Sequence, residues 1–216
     1  MGALFHRFTG PALEILEPRR FLSAVLVGRE VQIVGTHNAD YMRVYVDPKH
    51  PDQVVVQVNK EVTRFPLPAI SSLNVSAGQG NDRIQIEGAA PLYAFPTRIY
   101  GSGGNDTIYG STGPDRIYGG SGDDVIDGDY SRDVIYGEDG RDSILGSQGN
   151  DYLCGDNGND TLVGESGLDQ MYGGAGDDLF DSVDASFDRV DGGIGVDRAK
   201  VDNFLDSTFT IETLLP

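Results

Sequence analysis

Cysteine is almost missing: Cys154 is the single one in 216 residues, so no internal disulfide holds this chain. Basic residues are also scarce. Sixteen Lys and Arg face 34 Asp and Glu, for a net charge of −18, and this excludes a nucleic-acid partner, because phosphate binding needs a basic face. The acidity leaves two readings: a solvated, self-repelling surface, or carboxylates placed for a cation. Long apolar runs are absent. Phe21–Gly28 is about the longest, far short of the roughly 20 residues of a membrane span, so no transmembrane segment is expected. The N-terminus lacks the apolar block of an ordinary secretory signal peptide. The three histidines, His6, His37 and His50, are scattered, and no HExxH, nucleophile elbow or P-loop occurs. The chain is therefore expected not to be an enzyme. Helix caps and a 3.6-residue apolar period are missing as well, which points to an all-β chain.

Glycine is what the chain has in excess, 30 of 216, and such a content is either low-complexity or periodic. Here it is periodic. Gly101 to Asp181 divides into nine units of nine residues with no insertion, from GSGGNDTIY to GGAGDDLFD. Position 1 is Gly in all nine. Position 6 is Asp in all nine: Asp106, Asp115, Asp124, Asp133, Asp142, Asp151, Asp160, Asp169 and Asp178. Position 8 is always large and apolar, from Ile108 to Phe180, and position 4 is Gly except at Ser131. An outlying unit with Asp82 precedes the array (Ala77–Gln85). Two units follow after a one-residue slip, with Asp188 and Asp197.

One apolar side chain per nine residues is too sparse for a helix face. It suits a three-residue strand with one inward side chain, followed by a six-residue turn. Two units make a coil of 18 residues, and stacked coils give two parallel sheets with rungs about 4.8 Å apart. Each turn then lies on the turn 18 residues later, so Asp106 meets Asp124 and Asp115 meets Asp133, down to Asp160 with Asp178. Asp169–Asp188 and Asp178–Asp197 join if a turn absorbs the slip. Glycine at positions 1 and 4 is expected to supply positive-φ backbone that exposes carbonyls.

These units resemble the RTX repeat, GGxGxDxUx with U apolar. The resemblance implies a calcium-binding parallel β-roll whose position-6 aspartates and turn carbonyls hold Ca²⁺, with Asp82, Asp188 and Asp197 included and about seven to nine ions in all. Seven ions would bring the net charge of −18 to about −4. The repeat has little apolar core to offset an ordering cost of roughly 1–2 kcal/mol per residue. Binding free energy is then expected to be folding free energy.

The chain divides into a lead (1–24), a β-rich cap with degenerate rungs (25–76), the roll (77–200) and a C-terminal cap (201–216). In the lead, Leu16–Ala24 (LEPRRFLSA) resembles the LEPRxLLSA signature of large bacterial surface and secreted proteins, and this implies an extracellular or cell-surface location. In the cap, hairpins are expected around Gly28-Arg29 and Lys60, and Gly35–Asp40 reads as a decayed unit. Phe204, Leu205, Phe209 and Ile211 are candidates to cover the last rung.

Bland readings stand beside these. Asp123, Asp127 and Asp129 resemble an EF-hand, but flanking helices are missing. Tyr109, Tyr118, Tyr136 and Tyr172 at position 9 form either a stiffening stack or a face for a surface glycan or protein partner. Cys154, also at position 9, reads as a surface residue. Arg83, Arg98, Arg116 and Arg132 form no stripe of the kind a carbohydrate-active β-helix would need. Three functions follow in order: a calcium-stabilised structural or interaction module, a calcium-dependent adhesin or carbohydrate binder, and a carbohydrate-active enzyme.

Overall fold

The computed structural model describes residues 23–87, 95–202 and 206–215. Strands begin with β1 (Ser23–Val27), β2 (Glu30–Val34), β3 (Tyr41–Asp47), β4 (His50–Val58), β5 (Glu61–Pro66), β6 (Ser72–Gln79) and β7 (Arg83–Ile86). The repeats supply β8 (Thr97–Gly103), β9 (Thr107–Tyr109), β10 (Asp115–Ser121), β11 (Val125–Asp127), β12 (Val134–Asp139), β13 (Ser143–Gln148), β14 (Tyr152–Asn157), β15 (Thr161–Ser166), β16 (Gln170–Ala175), β17 (Leu179–Ser182), β18 (Arg189–Ile194) and β19 (Arg198–Val201). Two short strands close the chain, β20 (Ser207–Phe209) and β21 (Thr213–Leu214). The sole helical turn among the described residues is the 3₁₀ turn Leu67–Ala69, so the EF-hand resemblance has no helices to support it.

The strands alternate between two sheets, of 10 and 11 strands. Even-numbered strands from β6 to β20 stack in parallel in one, odd-numbered strands from β7 to β21 in the other. The expected 18-residue register holds: Ile117 pairs with Ile135, and Ile126 with Ile144. Side chains alternate across a strand, so positions 7 and 9 face out and position 8 faces in. The inward residues from Ile84 to Ala199, including Ile99, Ile117, Leu153, Met171 and Phe180, are at most 1% exposed. The all-β parallel roll expected from the repeat is the fold observed.

The N-terminal strands extend the same sheets. β2 pairs in parallel with β6, and β3 with β7. Both expected hairpins are present, β1–β2 and β4–β5, each antiparallel. The hairpin strand β4 lies antiparallel to β3, and its partner β5 forms the edge at that end of the sheet. Here several apolar residues per strand are buried, among them Val31 and Ile33 of β2 and Val54, Val56 and Val58 of β4. At the other end Phe209 is 48% exposed rather than covering a rung. Ile211 does pack partly on the core; Phe204 and Leu205 lie outside the described residues. So does the lead, apart from its last two residues, which open β1.

Candidate metal centre

Every position-6 aspartate points inward. Asp82, Asp106, Asp115, Asp124, Asp133, Asp142, Asp151, Asp160, Asp169, Asp178, Asp188 and Asp197 are at most 4% exposed. Burial of that many carboxylates in so small a core is unfavourable unless each oxygen finds a partner. One oxygen of each except Asp115 is settled by the stacking. Asp106 N–H donates to Asp124 Oδ1 at 2.7 Å, and Asp124, Asp142 and Asp160 N–H donate in turn to the Asp one coil on, each at 2.8 Å. The one-residue slip is absorbed: Asp169 reaches Asp188 and Asp178 reaches Asp197, also at 2.8 Å.

Two columns result. One runs Asp40, Asp82, Asp106, Asp124, Asp142, Asp160, Asp178, Asp197 and ends on Glu212, whose carboxylate accepts from Asp197 N–H. The other runs Asp115, Asp133, Asp151, Asp169, Asp188 and ends on Asp206. Asp40, Asp206 and Glu212 were missed at the level of the motif. Asp40 was visible in the decayed unit Gly35–Asp40, where the Asp falls in the sixth place; Asp206 and Glu212 stand beyond the readable pattern.

The second oxygen separates the members. Oδ2 has no hydrogen-bond partner in Asp82, Asp106, Asp124, Asp133, Asp142, Asp151, Asp160, Asp169, Asp178, Asp188 and Asp197, eleven in all. Nine of them lie beside the position-1 glycine of their own unit; Ala77 and Val183 stand at that position in the units of Asp82 and Asp188. A Cβ on Gly146 would stand 2.8 Å from Asp151 Oδ2 and 3.0 Å from the carbonyl oxygen of Gly164. The glycine is there to leave that space open.

The expectation that position 1 needs positive φ is corrected. Positive φ falls at positions 2 and 4, as at Gly120 and Gly122. Position 2 keeps it with side chains at Ser102, Asp129, Glu138, Ser147, Asp156 and Glu165, and Ser131 keeps it at position 4 (φ 81°). Such non-glycine residues are held in an unfavourable region by the rungs above and below.

Among the described residues no group of three or more His, Cys, Asp or Glu side chains is placed to hold a metal. A cation here would take one carboxylate per turn, and its other donors would be backbone carbonyls, a set that suits hard, oxygen-seeking Ca²⁺. The orphaned oxygens and glycine cradles fit that ion. Without it, burial pushes the acids up: Asp142 to about 6, Asp124 to about 7 and Asp133 to about 9, with neighbouring carboxylates adding to the rise. The N–H from the neighbouring rung acts the other way.

The outer faces hold the remaining candidates. Tyr100, Tyr118 and Tyr136 stack face to face, with centroids 5.1 and 5.2 Å apart. Cys154 interrupts position 9, and Tyr152 from position 7 bridges the break to Tyr172. Cys154 is therefore buried, not on the surface; its Sγ–H donates to Asp156 Oδ1 at 3.1 Å, and burial pushes its pKa up to about 12. Arg98 and Arg116 pair in register and, with Arg132, line one cavity whose wall also carries Glu30. The expectation of no basic grouping is corrected: stacking brings Arg98 and Arg116 together, and the turn before β12 adds Arg132. Arg83 stands on the other sheet, over the Tyr109 ring.

A family model described as the RTX calcium-binding nonapeptide repeat, in four copies, matches residues 100–130, 127–162 and 155–182. No curated protein matches the chain. The matched segment coincides with the unbroken array and with the middle of both aspartate columns, so residues 100–182 of this chain carry the RTX calcium-binding nonapeptide repeat on a parallel β-roll.

Proposed function

We propose that calcium completes this fold, and that the chain serves as a secreted or cell-surface rod, structural or adhesive, that stiffens where calcium is plentiful. The observation that carries the reading is the set of eleven buried Oδ2 atoms without a partner. A divalent ion between neighbouring turns gives them one, so ligand binding and folding share a free energy. Neighbouring orphaned pairs number six in the longer column and three in the shorter, which sets the expected load at about nine ions. Affinity is expected near 10⁻⁴–10⁻³ M, as for extracellular modules. The role is non-catalytic. Far-UV circular dichroism in calcium and in chelator tests the coupling: β signal should appear cooperatively on calcium addition, and an identical, fully folded spectrum in chelator contradicts it.

A glycan-binding role is a second reading, favoured by the cavity of Arg98, Arg116 and Arg132, which form no ion pair among the described residues. Guanidinium groups suit carboxylates of acidic sugars. The tyrosine ring faces are taken up by one another, so the stack adds hydroxyls rather than stacking platforms. Binding of oligo-uronates in calcium, lost in an Arg98→Ala/Arg116→Ala variant, would support it; no binding to the wild-type chain removes it.

A further inference from the structure

Three members of the aspartate columns differ from the eleven. In each, the N–H of the residue four positions earlier donates to the carboxylate Oδ2: Thr36 to Asp40, Ser111 to Asp115 and Asp202 to Asp206. Hydroxyls add to this. Thr36 Oγ1 donates to Asp40 Oδ2 at 3.0 Å, Ser111 Oγ to Asp115 Oδ1 at 2.9 Å and Ser182 Oγ to Asp206 Oδ2 at 2.9 Å. None of the three has an orphaned oxygen. The chain itself fills the place left open elsewhere.

The backbone explains the difference. In ten of the eleven open turns the residue four before the Asp has positive φ, from Gly78 and Ser102 to Gly193. Thr36 and Ser111 do not. Gly113, at position 4 of the Asp115 unit, also lacks it. Pro114 follows, and a proline steers the preceding residue to extended backbone. The turn takes another path, and the Ser111 N–H swings onto the carboxylate.

Resting on the calcium reading above, we infer that Asp40, Asp115 and Asp206 close calcium-free turns at the ends of the columns. The shorter column is closed at both ends, by Asp115 and Asp206, and the longer one is closed at its start by Asp40, whose Oδ1 also receives Asn59 Nδ2 from the β4–β5 turn. The ions are confined between these turns, and a consensus aspartate, Asp115, holds none. Repeat number therefore overstates ion number.

Counting bound calcium on the full chain by native mass spectrometry tests this. Ser111→Gly with Pro114→Asn restores GGTGND, and should bind one ion more than wild type. Asp115→Asn should bind as many as wild type, and Asp133→Asn fewer. An unchanged count in the double variant, or one ion lost in Asp115→Asn, overturns the inference. Should the double variant fail to fold, Asp115→Asn decides alone. A wild-type chain with no bound calcium overturns the calcium reading instead.

Discussion

The N-terminal strands and the repeats share the same two sheets but are held in different ways. In β2 to β6, Val31, Ile33, Met42, Val44, Val54, Val56, Leu73 and Val75 are all at most 2% exposed, so water itself drives their packing. The repeat strands β9 and β11 to β19 each bury one such residue and, in the turn before it, one carboxylate with a spare oxygen. The N-terminal end has an apolar core of several residues per strand. The roll has a core too thin to stand against its own buried charge. Under the proposed function, a continuous hydrogen-bonded ladder joins a region folded by burial to a region folded by a cation.

Mid-column ligands should show the largest effect. Asp142→Asn leaves the roll with a broken column at its centre, and its calcium midpoint should rise on the order of tenfold, since a charge-assisted contact contributes ~1.5–3 kcal/mol. Asp197→Asn, near an end, should shift it less, because fewer neighbours couple to it. Equal midpoints in a calcium titration followed by circular dichroism would break the picture of a coupled column.

Next come the two cores. Val56→Ala should lower stability by ~1–3 kcal/mol in calcium and in chelator alike, as a cavity in a ligand-independent core. Ile126→Ala should be felt only with calcium present. Thermal melts under both conditions sharpen the comparison, and a chelated protein that responds to Ile126→Ala as strongly as to Val56→Ala removes it.

Acidity should act on the roll alone. Asp124 and Asp142 titrate at about 7 and about 6 in the calcium-free fold, because burial disfavours their charged form. Their folded pKa values exceed the unfolded one, so this contribution to stability is full below about pH 4 and is lost as pH rises through 6 to 7. In chelator the roll should show more β signal at pH 4.5 than at pH 8. The reverse order contradicts the assignment of these carboxylates as the destabilising groups. The smallest effect is Tyr118→Ala, which removes two ring contacts from the outer stack and should lower the calcium-bound melting temperature by a few degrees, consistent with ~0.5–1.5 kcal/mol per pair.

Much of this was legible in the nonapeptides. A strict period with Ile, Leu or Met at position 8 dictates which side faces in, and an Asp every nine residues dictates which carboxylates stack. The parallel register followed from those rules, and both hairpins from the turns at Gly28-Arg29 and Lys60. What escaped lies in backbone conformation rather than residue type. Ser102 and Ser111 occupy the same position in adjacent units, yet one adopts φ 82° in an open turn and the other folds onto Asp115. The signal was Pro114, the residue just before Asp115 in that hydrogen-bonded turn. Tyr152 bridging over Cys154, and Arg132 joining Arg98, both depend on side chains crossing between unit positions, which a column-by-column reading separates.

The central claim is that one part of a continuous sheet needs calcium and the other does not. Hydrogen exchange followed by mass spectrometry, in calcium and in chelator, tests it most directly. The account predicts that amides of β2 to β6 stay protected in both, while those of β9 to β17 lose protection by several orders of magnitude in chelator. Protection that persists throughout the roll in chelator would contradict it, and so would a cap that opens together with the repeats.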